Sequence, residues 1–301
     1  ENPIYKGSVP GGSTSGGAVS VALDIADITI GTDTGGSTRI PAAYTGISGF
    51  KPTQDTISRQ GCLVLSSTLD SVGIMAKNIA LCKLGYEAMN EGPKSKKHYD
   101  INNNFTLTIP KNFGFDNIES DIKRTFDIAK QKIIDNGINV VEVNFPILDR
   151  YKKIPLWQFA AVECLTEYAD AYHDTPELID PNILKRMHRA NEVKAVEYKL
   201  LLKIRQQMIE EHNKELGNGF LLMPTVTIKP PLLKDCNDTK HYDEVNLISL
   251  QNTTLANFMN GCSISVPFSN DNTTMGIMLN GSTNMDYQLL EIGSIIEKIL
   301  K

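Results

Sequence analysis

The sequence lacks the marks of several common protein classes. Its five cysteines (Cys62, Cys82, Cys164, Cys236, Cys262) are scattered and form no Cys-x-x-Cys pair. Such spacing offers neither a disulfide frame nor a zinc ribbon and reads as reduced thiols in a cytoplasmic protein. The five histidines (His98, His173, His188, His212, His241) are equally dispersed, without the His-Glu-x-x-His spacing of a zinc protease. Positive charge is in deficit: 30 Lys plus Arg against 35 Asp plus Glu leave a net charge of -5, with no basic footprint for nucleic acid. No apolar run reaches the roughly 18 residues of a membrane-spanning helix. Phosphate-loop spacing is missing, and so is the Gly-x-Ser-x-Gly elbow, which removes the common α/β-hydrolase reading. Internal repeats are not seen. What remains is 41% hydrophobic and 22% charged, the balance of a soluble globular protein with a sizeable core.

What the chain does have is glycine and serine, gathered near its start. Pro10-Gly11-Gly12-Ser13-Thr14-Ser15-Gly16-Gly17 is followed by Gly31-Thr32-Asp33-Thr34-Gly35-Gly36-Ser37-Thr38-Arg39-Ile40-Pro41-Ala42. For one such cluster alone, a linker or plain turn is the simpler reading. Two clusters joined by a compact apolar segment are harder to explain that way. Thr34-Gly35-Gly36-Ser37 can aim consecutive backbone N–H groups at one point, because glycine allows close approach and unusual dihedrals. Such donors would stabilise the oxyanion of an acyl-transfer intermediate, with a serine hydroxyl beside them. Serine needs a neighbour to take its proton. Ser13, in a loop of four glycines, is a candidate for that role if the chain doubles back between the clusters; a second serine backed by a lysine can replace histidine.

Along the chain, a buried helix is expected over residues 18–23 and a short strand over 27–30. Pro41-Ala42-Ala43 is expected to be buried, the chain to turn at 69–73, and Asn78 to cap a helix to about Asn90. Residues 91–104 are the best loop or linker candidate. Strand Phe105–Ile109, helix Ile118 to Asp135 and strand Asn139–Phe145 form a parallel pair with a crossover. Residues 147–215 read as mostly helical, Phe220–Met223 as a strand and Leu247–Met259 as one helix. Ser263–Val266 and Met275–Leu279 read as strands, and Tyr287–Leu300 as a closing helix. The histidines His173 and His188 read as surface residues, and Cys62, Cys164 and Cys262 as buried small apolar ones.

The stretch from Pro10 through Ile40-Pro41-Ala42 to Gly49-Phe50-Lys51-Pro52-Thr53 resembles the amidase signature family, including the spacing of the two serines. Ser67-Thr68-Leu69-Asp70-Ser71-Val72-Gly73 is similar to the family's SLDSxGP segment, with Ile74 in place of proline. Leu222-Met223-Pro224-Thr225 and the region from Ala256-Asn257-Phe258 to Val266-Pro267 extend the likeness over essentially the whole chain. The resemblance implies an α/β fold, a mixed central β-sheet with helices on both faces, forming one domain over residues 1–301. It makes Ser37 the acyl-forming nucleophile and Ser13 the bridging serine, held after a cis peptide bond. It makes the backbone of Thr34, Gly35, Gly36 and Ser37 the oxyanion hole, with Asp33 and Arg39 as braces. The variable helical region, about 147–215, shapes the substrate pocket, with Trp157, Phe159, Glu163, Glu167 and Tyr168 as candidates to face it; apolar clusters of this kind are more often core.

The family's third catalytic residue, a lysine, has no counterpart here. Lys6 is too close to Ser13, and Lys51 matches a lysine that is not the catalytic one. The chain begins with Glu1 rather than Met and opens on its richest motif, so it is expected to be the later part of a longer protein carrying that lysine. The implied activity is hydrolysis of a carboxamide in a small-molecule amide substrate. It calls for no metal or organic cofactor, no nucleic acid contact and no membrane, and is compatible with a homodimer. Two rival readings stand beside it. One is the amidase subunit of a tRNA-dependent amidotransferase, whose YGRVSR pattern survives here only as Ser58-Arg59. The other is an inactive truncated homologue.

Overall fold

The computed structural model describes residues 1–90, 105–237 and 239–301. The expected linker at 91–104 lies outside the described residues. In chain order the elements begin with α1 (Ser15–Ala22), β1 (Ile28–Asp33), α2 (Arg39–Thr45), β2 (Ser48–Lys51), β3 (Ser71–Ala76) and α3 (Ile79–Met89). Next come β4 (Thr106–Pro110), α4 (Ser120–Asp135), β5 (Asn139–Val143), α5 (Pro146–Tyr151) and α6 (Trp157–Glu167). The helical middle continues with α7 (Ala169–Asp174), α8 (Pro181–His188) and α9 (Ala195–Leu216). The chain ends with β6 (Phe220–Pro224), α10 (Thr239–Leu250), α11 (Thr254–Phe258), β7 (Cys262–Asn270), β8 (Thr273–Gly281) and α12 (Asp286–Leu300).

The strands form one mixed eight-stranded sheet in the order β1-β3-β2-β7-β8-β6-β4-β5. β4 runs parallel to β5 and β6, and every other pairing is antiparallel. The parallel β4–β5 pair is bridged by α4, the crossover expected from the sequence. Helices cover both faces because strand side chains alternate. In β6, Phe220 and Leu222 join a core shared with α3, α4 and α12, whereas Leu221 and Met223 join a second core shared with α5, α6, α9 and α11. In β3, Ile74 joins the first core, whereas Met75 packs with Ala18 of α1 and Ala42 of α2. α4 shows how one helix docks: Ile122, Phe126, Ala129 and Ile133 fall on one face and are all buried. Each such large apolar side chain contributes roughly 1.5–3 kcal/mol on leaving water. Asn78 caps α3 as expected, its Oδ1 accepting from the Leu81 N–H at 2.9 Å.

Two expectations are corrected. The chain does not turn throughout 69–73: the turn ends at Asp70, and Ser71 already opens β3, antiparallel to β1 and β2. The single helix expected over 247–259 is two, α10 and α11, separated at 251–253. Asn252 there turns its amide onto the carbonyls of Gly114 and Pro224, at 2.9 and 2.8 Å, and that tertiary pull ends the first helix.

Candidate active site

β1 carries the chain to Asp33, and α2 begins six residues later at Arg39. Both side chains are fully buried and joined, Arg39 Nη2 to Asp33 Oδ1, at 2.8 Å. Asp33 also accepts the Gly36 N–H at 2.8 Å, the Thr38 N–H at 3.1 Å and the Thr38 hydroxyl at 2.8 Å. Burial alone would raise the Asp33 carboxyl, but the Arg39 guanidinium and these donors hold it well below the usual carboxylate range. Arg39 spends its other donors on the Thr253 carbonyl at 2.8 Å and on Asn257 Oδ1 at 2.7 Å. The Asn257 amide returns to the Asp33 carbonyl at 2.7 Å. The bracing role expected for Asp33 and Arg39 is therefore visible in the bonds they make. Gly36 sits at φ +132°, and a Cβ there would fall 2.2 Å from Thr253 Oγ1, so the loop closes against residue 253 only with glycine. The Thr253 and Thr254 hydroxyls both donate to the Gly35 carbonyl. Sequence reasoning missed these two threonines, whose types carry no local signal of the contact.

The second loop comes from ahead of α1. The Gly12–Ser13 peptide is cis, as the resemblance implies. The Ser15 hydroxyl donates to the Gly11 carbonyl, and the Thr14 N–H donates to the Ser37 carbonyl at 3.2 Å. That last bond joins the two serine loops. Ser13 is exposed and Ser37 half-buried; their hydroxyls are not hydrogen-bonded to each other. Of the four N–H groups expected to form the oxyanion hole, that of Gly36 is already engaged by Asp33. Those of Thr34, Gly35 and Ser37 remain as the candidate donors. Thr34 is anchored by its side chain, which donates to Asp70 Oδ1 at 2.6 Å.

Asp70 links the loop to a cavity of about 490 Å³ lined in part by Thr32, Arg59, Cys62, Ser67 and Asp70, a size suited to a small ligand. The Asp70 Oδ2 accepts the N–H groups of Leu65 and Ser66 at 2.9 and 3.0 Å, which folds the 65–70 turn around it. Cys62 is exposed and lines this cavity, contrary to the expected burial, because its loop lies outside the packed sheet; Cys164 and Cys262 are buried. Glu163, on α6, faces the same turn from behind. It accepts from the Ser66 and Thr68 hydroxyls, from the Thr68 N–H at 3.0 Å and from the Tyr198 hydroxyl at 2.7 Å. Burial alone would raise its carboxyl, yet these donors pull it below the ordinary Glu value. Phe159 is fully buried in the second core and does not face the cavity. Trp157 lies under the Arg189 guanidinium, 3.9 Å from its ring centre.

Neither lysine near the motif is hydrogen-bonded to Ser13 or Ser37. Lys6 is exposed. Lys51 is fully buried at the end of β2, and its Nζ donates to the Pro52 carbonyl at 2.7 Å. Burial, reinforced by Arg39, pushes its pKa down to about 8. Among the described residues no group of three or more His, Cys, Asp or Glu side chains is placed to hold a metal ion, and no helix is long and apolar enough to cross a membrane.

A profile of the amidase family matches residues 1–290. The chain is similar to 2-amino-5-chloromuconic acid deaminase of Comamonas testosteroni, 28% identical over 97% of this chain and 64% of that protein. It is also similar to one subunit of the glutamyl-tRNA(Gln) amidotransferase of Methanobrevibacter smithii, 29% identical over 78% of this chain and 57% of the relative. The chain thus spans less than two-thirds of the length of these curated relatives. In fold it is similar to a crystal structure of an amidase, with TM-score 0.86 and 23% identity over 100% of this chain and 69% of that one. The structure of Kluyveromyces lactis allophanate hydrolase superposes with TM-score 0.85 and 24% identity, over 100% of this chain and 51% of the other.

Proposed function

Because the chain belongs to the amidase family, we propose that it holds the nucleophile half of an enzyme that hydrolyses carboxamides to a carboxylic acid and ammonia or an amine. Ser37 Oγ attacks the amide carbon while Ser13 takes its proton and passes its own to a lysine supplied from outside these 301 residues. The oxyanion formed accepts hydrogen bonds from the N–H groups of Thr34, Gly35 and Ser37. The C–N bond then breaks, the relay returns a proton to the departing nitrogen, and water releases the acid from Ser37. None of these steps calls for a cofactor. The observation that carries the reading is the Thr14–Ser37 backbone bond, which joins two glycine-serine loops from different elements beside a buried brace. The five free cysteines support a reducing, cytoplasmic setting.

The test compares this chain with the same chain extended by the preceding part of its reading frame, both assayed for ammonia release from simple carboxamides. Release by the longer protein alone is expected; equal rates refute a lysine outside the chain. A second reading, the glutaminase component of a tRNA-dependent amidotransferase, draws support from the similarity to the Methanobrevibacter smithii protein. Glutamine hydrolysis that appears only on adding a partner protein would favour it.

A further inference from the structure

Arg59 is the one cationic group among the described residues that line the cavity beside the Ser37 loop. We propose that it binds a carboxylate of the substrate, so that the preferred amides are those carrying an acid group; this rests on the amidase reading above. The guanidinium is held in place before any ligand arrives. Its Nη1 donates to the Ser67 carbonyl at 2.8 Å, its Nε donates to Asp55 Oδ1 at 3.1 Å, and Nη2 lies 2.9 Å from the same oxygen. A guanidinium carries five N–H donors, so these contacts leave donors over for a ligand. A fork fixed in this way loses little freedom on binding an anion, and its planar shape matches a carboxylate.

The two acidic residues on the wall leave donors of Arg59 over, since only Asp55 engages it. Asp70 is almost fully buried, and its oxygens are taken by Thr34, Leu65 and Ser66. Asp55 is 69% exposed on its side chain and meets Arg59 through a single oxygen, while the Arg59 side chain is only 27% exposed. Ser58 and Ser67 add hydroxyls to the same wall. The cavity reaches from Arg59 to Thr32 and Asp70, and Asp70 is tied to Thr34 of the Ser37 loop, so an acid group held at Arg59 leaves the other end of the ligand at the border of that loop.

The experiment measures binding by calorimetry to the full chain, with succinamate as the acidic amide and butyramide as its neutral counterpart. Succinamate is expected to bind more tightly than butyramide. Arg59→Gln should weaken succinamate by about tenfold to a hundredfold and leave butyramide unchanged. Arg59→Lys should fall between, since a point charge replaces the fork. Unfolding midpoints of both variants are recorded to separate lost recognition from lost folding. Equal binding of the two compounds, no binding of succinamate, or an unchanged affinity in both folded variants overturns the proposal. Binding needs no turnover, so Arg59-dependent binding without ammonia release by the extended protein keeps the subsite and sinks the amidase reading. Equal turnover of both amides, indifferent to Arg59, does the reverse.

Discussion

Arg39 and Asp33 face each other at 2.8 Å with no solvent exposure on either side chain, and the loop between them holds Ser37. Removing one partner leaves the other charge buried and unpaired. Arg39→Met is expected to cost about 3–5 kcal/mol in urea unfolding at pH 7. The double change with Asp33→Asn should cost less than the sum of the single changes, because the pair acts as a unit. A loss below about 1 kcal/mol for Arg39→Met would show that the brace is dispensable.

On the proposed reading the two serines carry chemistry and not stability. In the extended protein, Ser37→Ala should lower kcat by at least about a thousandfold, and Ser13→Ala by about a hundredfold or more. Neither hydroxyl has a hydrogen-bond partner among the described residues, so both variants should unfold within about 0.5 kcal/mol of the parent. Ser37→Ala that retains turnover removes Ser37 as the nucleophile.

Glu163 ties α6 and α9 to the turn that ends at Asp70. Its folded carboxyl titrates below the ordinary value of 4.5, so its stabilisation is present above that pH and is lost as pH falls through the folded value. The protection of the Ser66 and Thr68 amides, taken against their intrinsic exchange rate at each pH, should therefore fall on acidification below about pH 4.5. In Glu163→Gln the same amides should be less protected at pH 7 and show a smaller change on acidification. Identical exchange in parent and variant would mean that the turn holds itself.

His212 of α9 is buried with its Nδ1 unpartnered, and burial pushes its pKa down to about 4. The unfolded chain takes up that proton near 6.5, so the folded state loses ground as pH falls from about 6.5 towards 4. The loss approaches about 3 kcal/mol at the acid end of that window. His212→Leu should flatten this part of the stability-against-pH curve measured by urea midpoints. A curve with the same slope in the variant assigns the acid sensitivity elsewhere.

Local signals were readable where the local residue makes the structure. Asn78 caps its helix with its own side chain, and the β4–α4–β5 pattern stands on periodicity alone. The bracing of the Ser37 loop was legible through the motif, down to Asp33 and Arg39. Readings failed where distant contacts decide. Gly73 looks like a turn residue, yet it lies in β3, where a Cβ would fall 2.5 Å from Thr38 Oγ1; its glycine answers a close approach, not a bend. Residues 251–253 look helical, but their polar groups are drawn to Gly114, Pro224 and Gly35. Glu163 was expected to face the pocket; its four hydrogen bonds show it holding the pocket's wall instead.

The grip of Thr253 and Asn257 on the first forty residues has a consequence for biosynthesis. Chains emerge from the ribosome amino end first. The glycine-serine stretch is among the earliest parts of this sequence to be made, yet the carbonyl that accepts from Arg39 and the amide that donates to Asp33 follow more than two hundred residues later. A nascent chain halted before α11 would display both serines and the whole motif without the groups that clamp them. The site can reach its final geometry only once Thr253 and Asn257 have been translated.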